Sequence, residues 1–417
     1  MVQIEILGGK REIGGNCVRI TDKERTILFD QGIRFSIFKA FYSRFIQPIG
    51  IPELRRLHVI PPPSAYEDIN AIYISHFHLD HLGLLSNIPC ETVVKFPSLK
   101  IYQALEEGWR MSPSWPVYIP PKFFVKTEEI TRNRTDENDV MSVPVSHSAY
   151  PAYAFIFFGS DETLLYTGDF RTSNVKAANN VLYKQTLFEY LEENRDIKID
   201  KLIIEGTNIG RPLTPIRPNE AQKITSRLFE KKKLVLVAIH QLDVESLLLI
   251  ASVAKLQKKK LLLASPRLTK ILEVLYFVTP KFKRALENAI VLEDAVKESK
   301  LSNKASISDI KKELGDYCMI TDIARLDEII RKFEPLSEHL TMAPVALMIS
   351  EPSDEEAIFD LRRLVRWLSI YGLQPYHIRI SGHYYPYELK AILRKIKPKE
   401  VIPIHTLYPE YLYALTK

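Results

Sequence analysis

The string AIYISHFHLDHLG, residues 71–83, constrains this chain more than any other segment. An apolar, strand-like run ends at Ser75 and releases His76, His78, Asp80 and His81 within six positions. Side chains alternate across a strand, so His76 and His78 point the same way and can chelate one ion. Asp80 and His81 fall on the following turn, within reach of a second ion. Imidazole with carboxylate suits zinc or another borderline divalent metal far better than calcium. A buried group this dense needs a counter-charge, so chance loop polarity is a poor account of it.

Two downstream residues complete such a shell. His147 follows the strand-like MSVPVS and offers a third nitrogen to the first ion. Asp169, in LLYTGDFR, sits at another strand end and can bridge both ions. Asp30, ending ILFDQG, is read as a carboxylate that orients a ligand loop from behind.

The surrounding chain sets the class. Short β-branched runs joined by turns fill the first half, and strands alternate with amphipathic helices from about residue 209, the pattern of a parallel α/β sheet. Three cysteines form no disulfide framework. No apolar run reaches the roughly 18 uncharged residues of a membrane span, and the start lacks a basic, then apolar, leader. A cytoplasmic location and no membrane partner are expected. Residues 1–210 hold 23 Lys/Arg against 26 Asp/Glu, and residues 211–417 hold 34 against 25, so net charge runs from −3 to +9. That permits a polyanion on the second half. The runs Lys231-Lys232-Lys233 and Lys258-Lys259-Lys260 read as solvated helix ends or strand edges. Residues 34–66, with Phe35, Phe38, Phe41, Tyr42 and Phe45 beside Arg34, Lys39 and Arg44, read as a packing or dimer element rather than an RNA-stacking surface.

The HxHxDH string, His147 and Asp169, with Asp30 upstream, resemble the metallo-β-lactamase superfamily, whose fold is an αββα sandwich with metals at one sheet edge. Glu205 in KLIIEGTN, His383 in SGHYYP and His405 in EVIPIH narrow the likeness to its β-CASP group of nucleic-acid-processing enzymes. That group carries an inserted Rossmann-like parallel-sheet domain. The resemblance implies a metallo-β-lactamase domain over residues 1–208, the β-CASP domain over 209–376, and a return to the first domain over 377–417. His405, where the DNA-repair branch has Val, points to RNA. The opening GGKREIGGNC, EGTN and SGH…IPIH are most similar to ribonuclease J, particularly its short archaeal forms.

This resemblance implies two Zn2+ ions per chain, with Mn2+ or Mg2+ as substitutes in vitro. His76, His78 and His147 would hold one ion, Asp80, His81 and His405 the other, and Asp169 would bridge. Asp80, Asp169, Glu205 and His383 would be catalytic, with Glu205 and His383 forming an acid–imidazole pair at the scissile phosphate. Ser381, Gly382, His383 and Tyr384 would contact substrate. The implied activity is hydrolysis of RNA to 5′-phosphate products, as a 5′→3′ exonuclease. The alternatives are an endonuclease resembling the cleavage and polyadenylation specificity factor subunit, or a non-catalytic RNA-binding scaffold. The lack of a KH extension like that of archaeal forms weighs against the endonuclease. RNA is the expected partner, with a homodimer or an RNA-processing complex beyond it. Two stretches depart from the family. AIHQLDVES has Asp243 for an expected Arg and Glu245 for Gln, and Tyr384-Tyr385-Pro386 stands where ribonuclease J has Ala-Ser. The tyrosines suit stacking on a base or an aromatic helix start. His58, His240, His339 and His377 read as structural or surface residues.

Overall fold

The computed structural model describes residues 2–416 except 44, 112–114, 116, 173–175, 178–179, 182–184, 212–214, 232–233, 241, 279–281, 284–285, 295, 298, 314–315, 333–344, 350–360 and 374. His339, Arg44, Lys232 and Lys233 therefore lie outside the described residues. The chain divides into two compact units. One comprises Met1–Asn174, Tyr183–Thr214 and Gly382–Lys417, and the other Val175–Leu182 and Pro215–Ser381.

The first unit holds two sheets. Strands β1 (Gln3–Gly8), β2 (Cys17–Asp22), β3 (Arg25–Phe29), β4 (Ala71–Tyr73), β5 (Val93–Phe96) and β6 (Lys126–Glu129) lie side by side in sequence order. The first three form an antiparallel meander and the rest continue parallel from β3. The second sheet is built from β7 (Val140–Val145), β8 (Ala152–Phe158), β9 (Thr163–Tyr166), and then, after a two-residue ladder of β10 (Lys176–Ala177) and β11 (Asn180–Val181) in the other unit, β12 (Lys201–Glu205) and finally the strand Glu400–Ile404. Its order places Glu400–Ile404, β12 and β9 next to one another, all parallel. Their carboxyl ends therefore open at one edge of the sheet.

Alternation explains why two sheets stack. Val18, Ile20, Ile27 and Phe29 from one sheet meet Tyr153, Phe155, Leu164 and Tyr166 from the other in one buried cluster. Phe29 stacks on Phe155 at 5.0 Å and on Tyr166 at 5.4 Å between ring centroids. Burying each such ring stabilises the fold by roughly 1.5–3 kcal/mol. The opposite side chains of the second sheet, including Val143, Ile156, Leu165, Leu202 and Ile204, pack with the helices Leu187–Glu193, Leu389–Ile396 and Pro409–Thr416. This is the layered sandwich that the motifs imply.

The second unit holds a seven-stranded, wholly parallel sheet. In chain order its strands are β13 (Val235–Ile239), β14 (Lys260–Leu263), β15 (Ile290–Leu292), β16 (Lys304–Ala305), β17 (Tyr317–Asp322), β18 (Val345–Ile349) and β19 (Pro375–Arg379), arranged β16-β15-β14-β17-β13-β18-β19. β13 reads VLVAI and is buried throughout, as a strand covered on both faces must be. Residues 375–379 pair with β18, so the strand carrying HIRI is part of this sheet rather than of the C-terminal return expected from residue 377. Asp243 caps the helix Val244–Leu256, its carboxylate accepting from the Ser246 backbone N–H at 2.9 Å. Where the resemblance leads one to expect an arginine, this chain has a helix cap. His240 is buried, whereas His58 and His377 are exposed. In the 34–66 segment Phe35, Phe38 and Tyr42 are buried, and Phe41 and Phe45 face solvent.

Candidate metal centre

The strand end at β4 makes the centre. Past Tyr73 the chain bends at Ser75–Phe77, is extended at His78, then closes the single helical turn Leu79–Leu82 and stops at Gly83, with φ of 71°. That turn lifts Asp80 and His81 toward the ring pair His76 and His78. It is braced from behind by Asn16 N donating to Asp80 O at 2.9 Å and Gln31 N to His81 O at 2.9 Å. Gly14 adopts φ +82°, and a Cβ there would meet Asp80 Cβ at 2.7 Å, so the GG of the opening motif is a close-approach surface for this aspartate.

His147 arrives from the end of β7, Asp169 from β9, Glu205 from β12, and His405 from the last strand. All are buried. One carboxylate oxygen lies at the centre: Asp169 Oδ2 is 3.2 Å from His81 Nε2, 3.8 Å from His76 Nε2, 3.9 Å from His147 Nε2, and 3.8 Å from both His405 Nε2 and His383 Nδ1. His405 Nε2 also lies 3.1 Å from Asp80 Oδ2. Four overlapping ligand sets result: His76–His78–His147, His76–Asp80–His81, His81–Asp169–His405 and His147–Asp169–His383.

Proton bookkeeping shows that these rings fit a cation. The Ser75 hydroxyl donates to Asp30 Oδ2 at 2.8 Å, so it accepts from His76 Nδ1 at 3.1 Å, and His76 Nε2 presents a lone pair. His147 Nδ1 donates to the Gly382 carbonyl at 2.8 Å, so its Nε2 is also a lone pair. Both lone pairs face His78 Nδ1, at 3.0 and 3.2 Å. A single proton on His78 satisfies at most one of them well. Asp80 Oδ1 and Asp169 Oδ1 are buried and find no hydrogen-bond partner among the described residues. Such groups are costly unless an ion satisfies them.

Titration behaviour follows from this crowding. Burial, reinforced by the neighbouring His81, His147 and His78, holds His76 well below the usual imidazole range. Burial lowers His147 to about 3. His81 behaves oppositely: burial pulls it down, but Asp169, Asp30 and Asp80 outweigh that and hold it well above its ordinary value. Burial pushes the Asp169 carboxyl up, and the opposing pull of His405, His81 and His383 wins, leaving it well below the carboxylate range.

Asp30 lies behind His81, its Oδ2 2.7 Å from His81 Nδ1. It also accepts from the Ser75 backbone N–H at 2.7 Å and the Tyr166 hydroxyl at 2.6 Å. Glu205 accepts from His383 Nδ1 at 3.1 Å and from the Thr207 N–H at 2.9 Å. The substrate-contact expectations fare differently. Tyr384 is not available to stack on a base: its ring is 2% exposed, packs on Phe170 at 5.2 Å, and its hydroxyl donates to the Glu205 carbonyl at 2.8 Å. Tyr385 is buried too, its ring stacked on Tyr387 at 5.5 Å. Ser381 is buried and belongs to the second unit. Gly382 serves His147: a Cβ there would meet His147 Cε1 at 2.6 Å. Gly382→Ala should therefore displace that imidazole and weaken metal binding at the His147 side by roughly 10–100-fold, read by metal titration of the purified protein. The motif reading missed Thr207, whose Oγ1 lies 2.7 Å from His405 Nδ1, and Tyr166, although both stand inside the quoted EGTN and LLYTGDFR strings.

No family model matches the chain. Among curated proteins it is 20% identical to ribonuclease J of Pyrococcus abyssi over 97% of this chain and 90% of that protein. It is 23% identical to ribonuclease J of Helicobacter pylori over 98% of this chain, but spans only 56% of that protein's length. Cleavage and polyadenylation specificity factor 73 of Drosophila melanogaster matches at 27% over 41% of this chain and 25% of its own. A solved structure described as a protein of unknown function from Enterococcus faecalis superposes with TM-score 0.71, covering 98% of this chain and 94% of that one at 17% identity.

Proposed function

Because the chain is a β-CASP member of the metallo-β-lactamase superfamily with ribonuclease J homologues, we propose that it is a metal-dependent ribonuclease that hydrolyses RNA phosphodiesters to 5′-phosphate products, acting as a 5′→3′ exonuclease with two zinc ions. The observation that carries the reading is the convergence of His76, His78, His147, His81, His405, Asp80 and Asp169 around one carboxylate oxygen. Two divalent ions bound there would supply an activated water at neutral pH and offset charge on the phosphoryl oxygens.

The protein's own groups do the rest. Asp169 sits within reach of both ligand sets and fixes their spacing. Asp30, the Gly382 carbonyl and Thr207 hold the outer nitrogens of His81, His147 and His405, so each ring keeps its other nitrogen turned inward. Glu205 holds His383 through Nδ1, leaving Nε2 to pass a proton to the departing 3′ oxygen. RNA bound along the basic second half of the sequence would show salt-dependent affinity.

A time course on RNA labelled at either end, carrying a 5′-monophosphate, triphosphate or hydroxyl, tests this. Mononucleotides released from the 5′ end, and silenced by chelator, are the expected result. Discrete internal fragments would mean endonuclease action, and binding without cleavage by protein holding about two ions per chain would mean a scaffold.

A further inference from the structure

Asp30 carries more donors than a carboxylate needs merely to face one histidine. Its Oδ1 accepts from Ser75 N at 2.7 Å. Its Oδ2 is shared by His81 Nδ1 at 2.7 Å, Ser75 Oγ at 2.8 Å and Tyr166 OH at 2.6 Å. The last is short, as expected for a hydroxyl donating to an ionised acceptor. Tyr166 is wholly buried, and its oxygen in turn accepts from Asn16 Nδ2 at 3.1 Å. That contact directs the tyrosine hydrogen onto Asp30. Asn16 is itself fixed by its backbone, donating from N to Asp80 O at 2.9 Å and accepting at its carbonyl from Gly32 N at 2.8 Å.

Tyr166 ends β9, and Asp169 follows three residues later on the same chain segment. One segment therefore holds the His81 ring from both sides. At Nε2 it presents Asp169 Oδ2, 3.2 Å away. At Nδ1 it acts through Asp30. Three other ligand imidazoles have different supports: His147 rests on a backbone carbonyl, His76 on the Ser75 hydroxyl, and His405 on the Thr207 hydroxyl. The support behind His81 is a carboxylate with its own hydroxyl and amide backing.

We propose that Tyr166, braced by Asn16, is a positioning residue that fixes Asp30 behind His81 and so tunes the His81 side of the centre, leaving the His76–His78–His147 side largely unchanged. The inference rests on the ligand reading above. Removing the hydroxyl takes one of the three partners from Asp30 Oδ2 and loosens the ring it orients, while the tyrosine ring stays in the sheet-to-sheet core. Tyr166→Phe is therefore close to a pure deletion of the hydrogen bond.

The test is Co2+ titration of the metal-free full-length protein, followed by visible absorption and calorimetry. In the wild type two equivalents bind. In Tyr166→Phe one equivalent should bind as in the wild type and the other roughly five- to tenfold more weakly, with only its share of the cobalt absorption shifted. Asn16→Ala should act in the same direction with a smaller change, and guards against a misfolded Tyr166 variant. Two unchanged equivalents, or equal weakening of both, overturns the positioning role. Wild-type protein that binds no stoichiometric ion instead defeats the metal reading itself, which separates the two failures.

Discussion

Asp169→Ala is expected to abolish RNA cleavage, with a fall of at least about 10³-fold in kcat/KM, and to reduce bound metal from about two ions per chain to one or fewer. The basis is its position. Its Oδ2 lies between 3.2 and 3.9 Å from nitrogens of His81, His76, His147, His405 and His383. Among the described residues, no other carboxylate lies within 4.0 Å of so many of these histidines. Removing it takes away a shared anion and leaves the imidazoles to repel one another when charged. The carboxyl also has a stability signature in the metal-free protein. Its folded value lies below its ordinary one, so the stabilisation it brings is present above about pH 4 and fades as pH falls through the depressed value. The variant should thus lose that acid-dependent part of its stability curve. Elemental analysis, circular dichroism and a cleavage assay on one preparation check all three. Wild-type cleavage by a folded Asp169→Ala protein would remove the central carboxylate from the mechanism.

His383→Ala should behave differently. Turnover is expected to drop by roughly 10²–10⁴-fold, the range for losing a positioned proton donor, while metal content stays near two ions per chain. Its Nδ1 is committed to Glu205 Oε1 at 3.1 Å and stands farther, 3.8 Å, from Asp169 Oδ2. Glu205 is held in turn by the Thr207 N–H, so the pair is fixed from the β12 end. The same ring also completes a possible ligand set with His147 and Asp169. Metal loss in the variant would reassign it to that role, and unchanged turnover would end its assignment as the leaving-group acid. Steady-state kinetics beside metal analysis separates the outcomes.

The two experiments bear on residues that differed in how easily they could be read. His76, His78, Asp80 and His81 lie within six positions, and the bend and single helical turn that follow β4 put them together. Short β-branched runs bounded by turns likewise revealed strands of the stacked sheets. His147, Asp169, Glu205, His383 and His405 were located through motif order, since nothing local to each residue separates a ligand from an ordinary loop group. Tyr384 shows the limit: an aromatic beside a site histidine reads equally as a stacking surface or as core, and only packing on Phe170 and the bond to the Glu205 carbonyl decided for core.

By itself, then, the amino-acid order picked out His76, His78, Asp80 and His81 as candidates for metal chemistry and a parallel α/β segment from about residue 209, because both are written in residue type and short-range pattern. Tertiary structure alone decided how those side chains are held. The turn after β4 of one sheet meets the end of the last strand of the other, which brings residues as far apart as Asp80 and His405 to 3.1 Å. Tyr166, Asn16, Thr207 and Gly382 acquire their supporting roles only there, because a hydrogen bond across 150 residues, such as that from Asn16 to Tyr166, leaves no trace in local spacing.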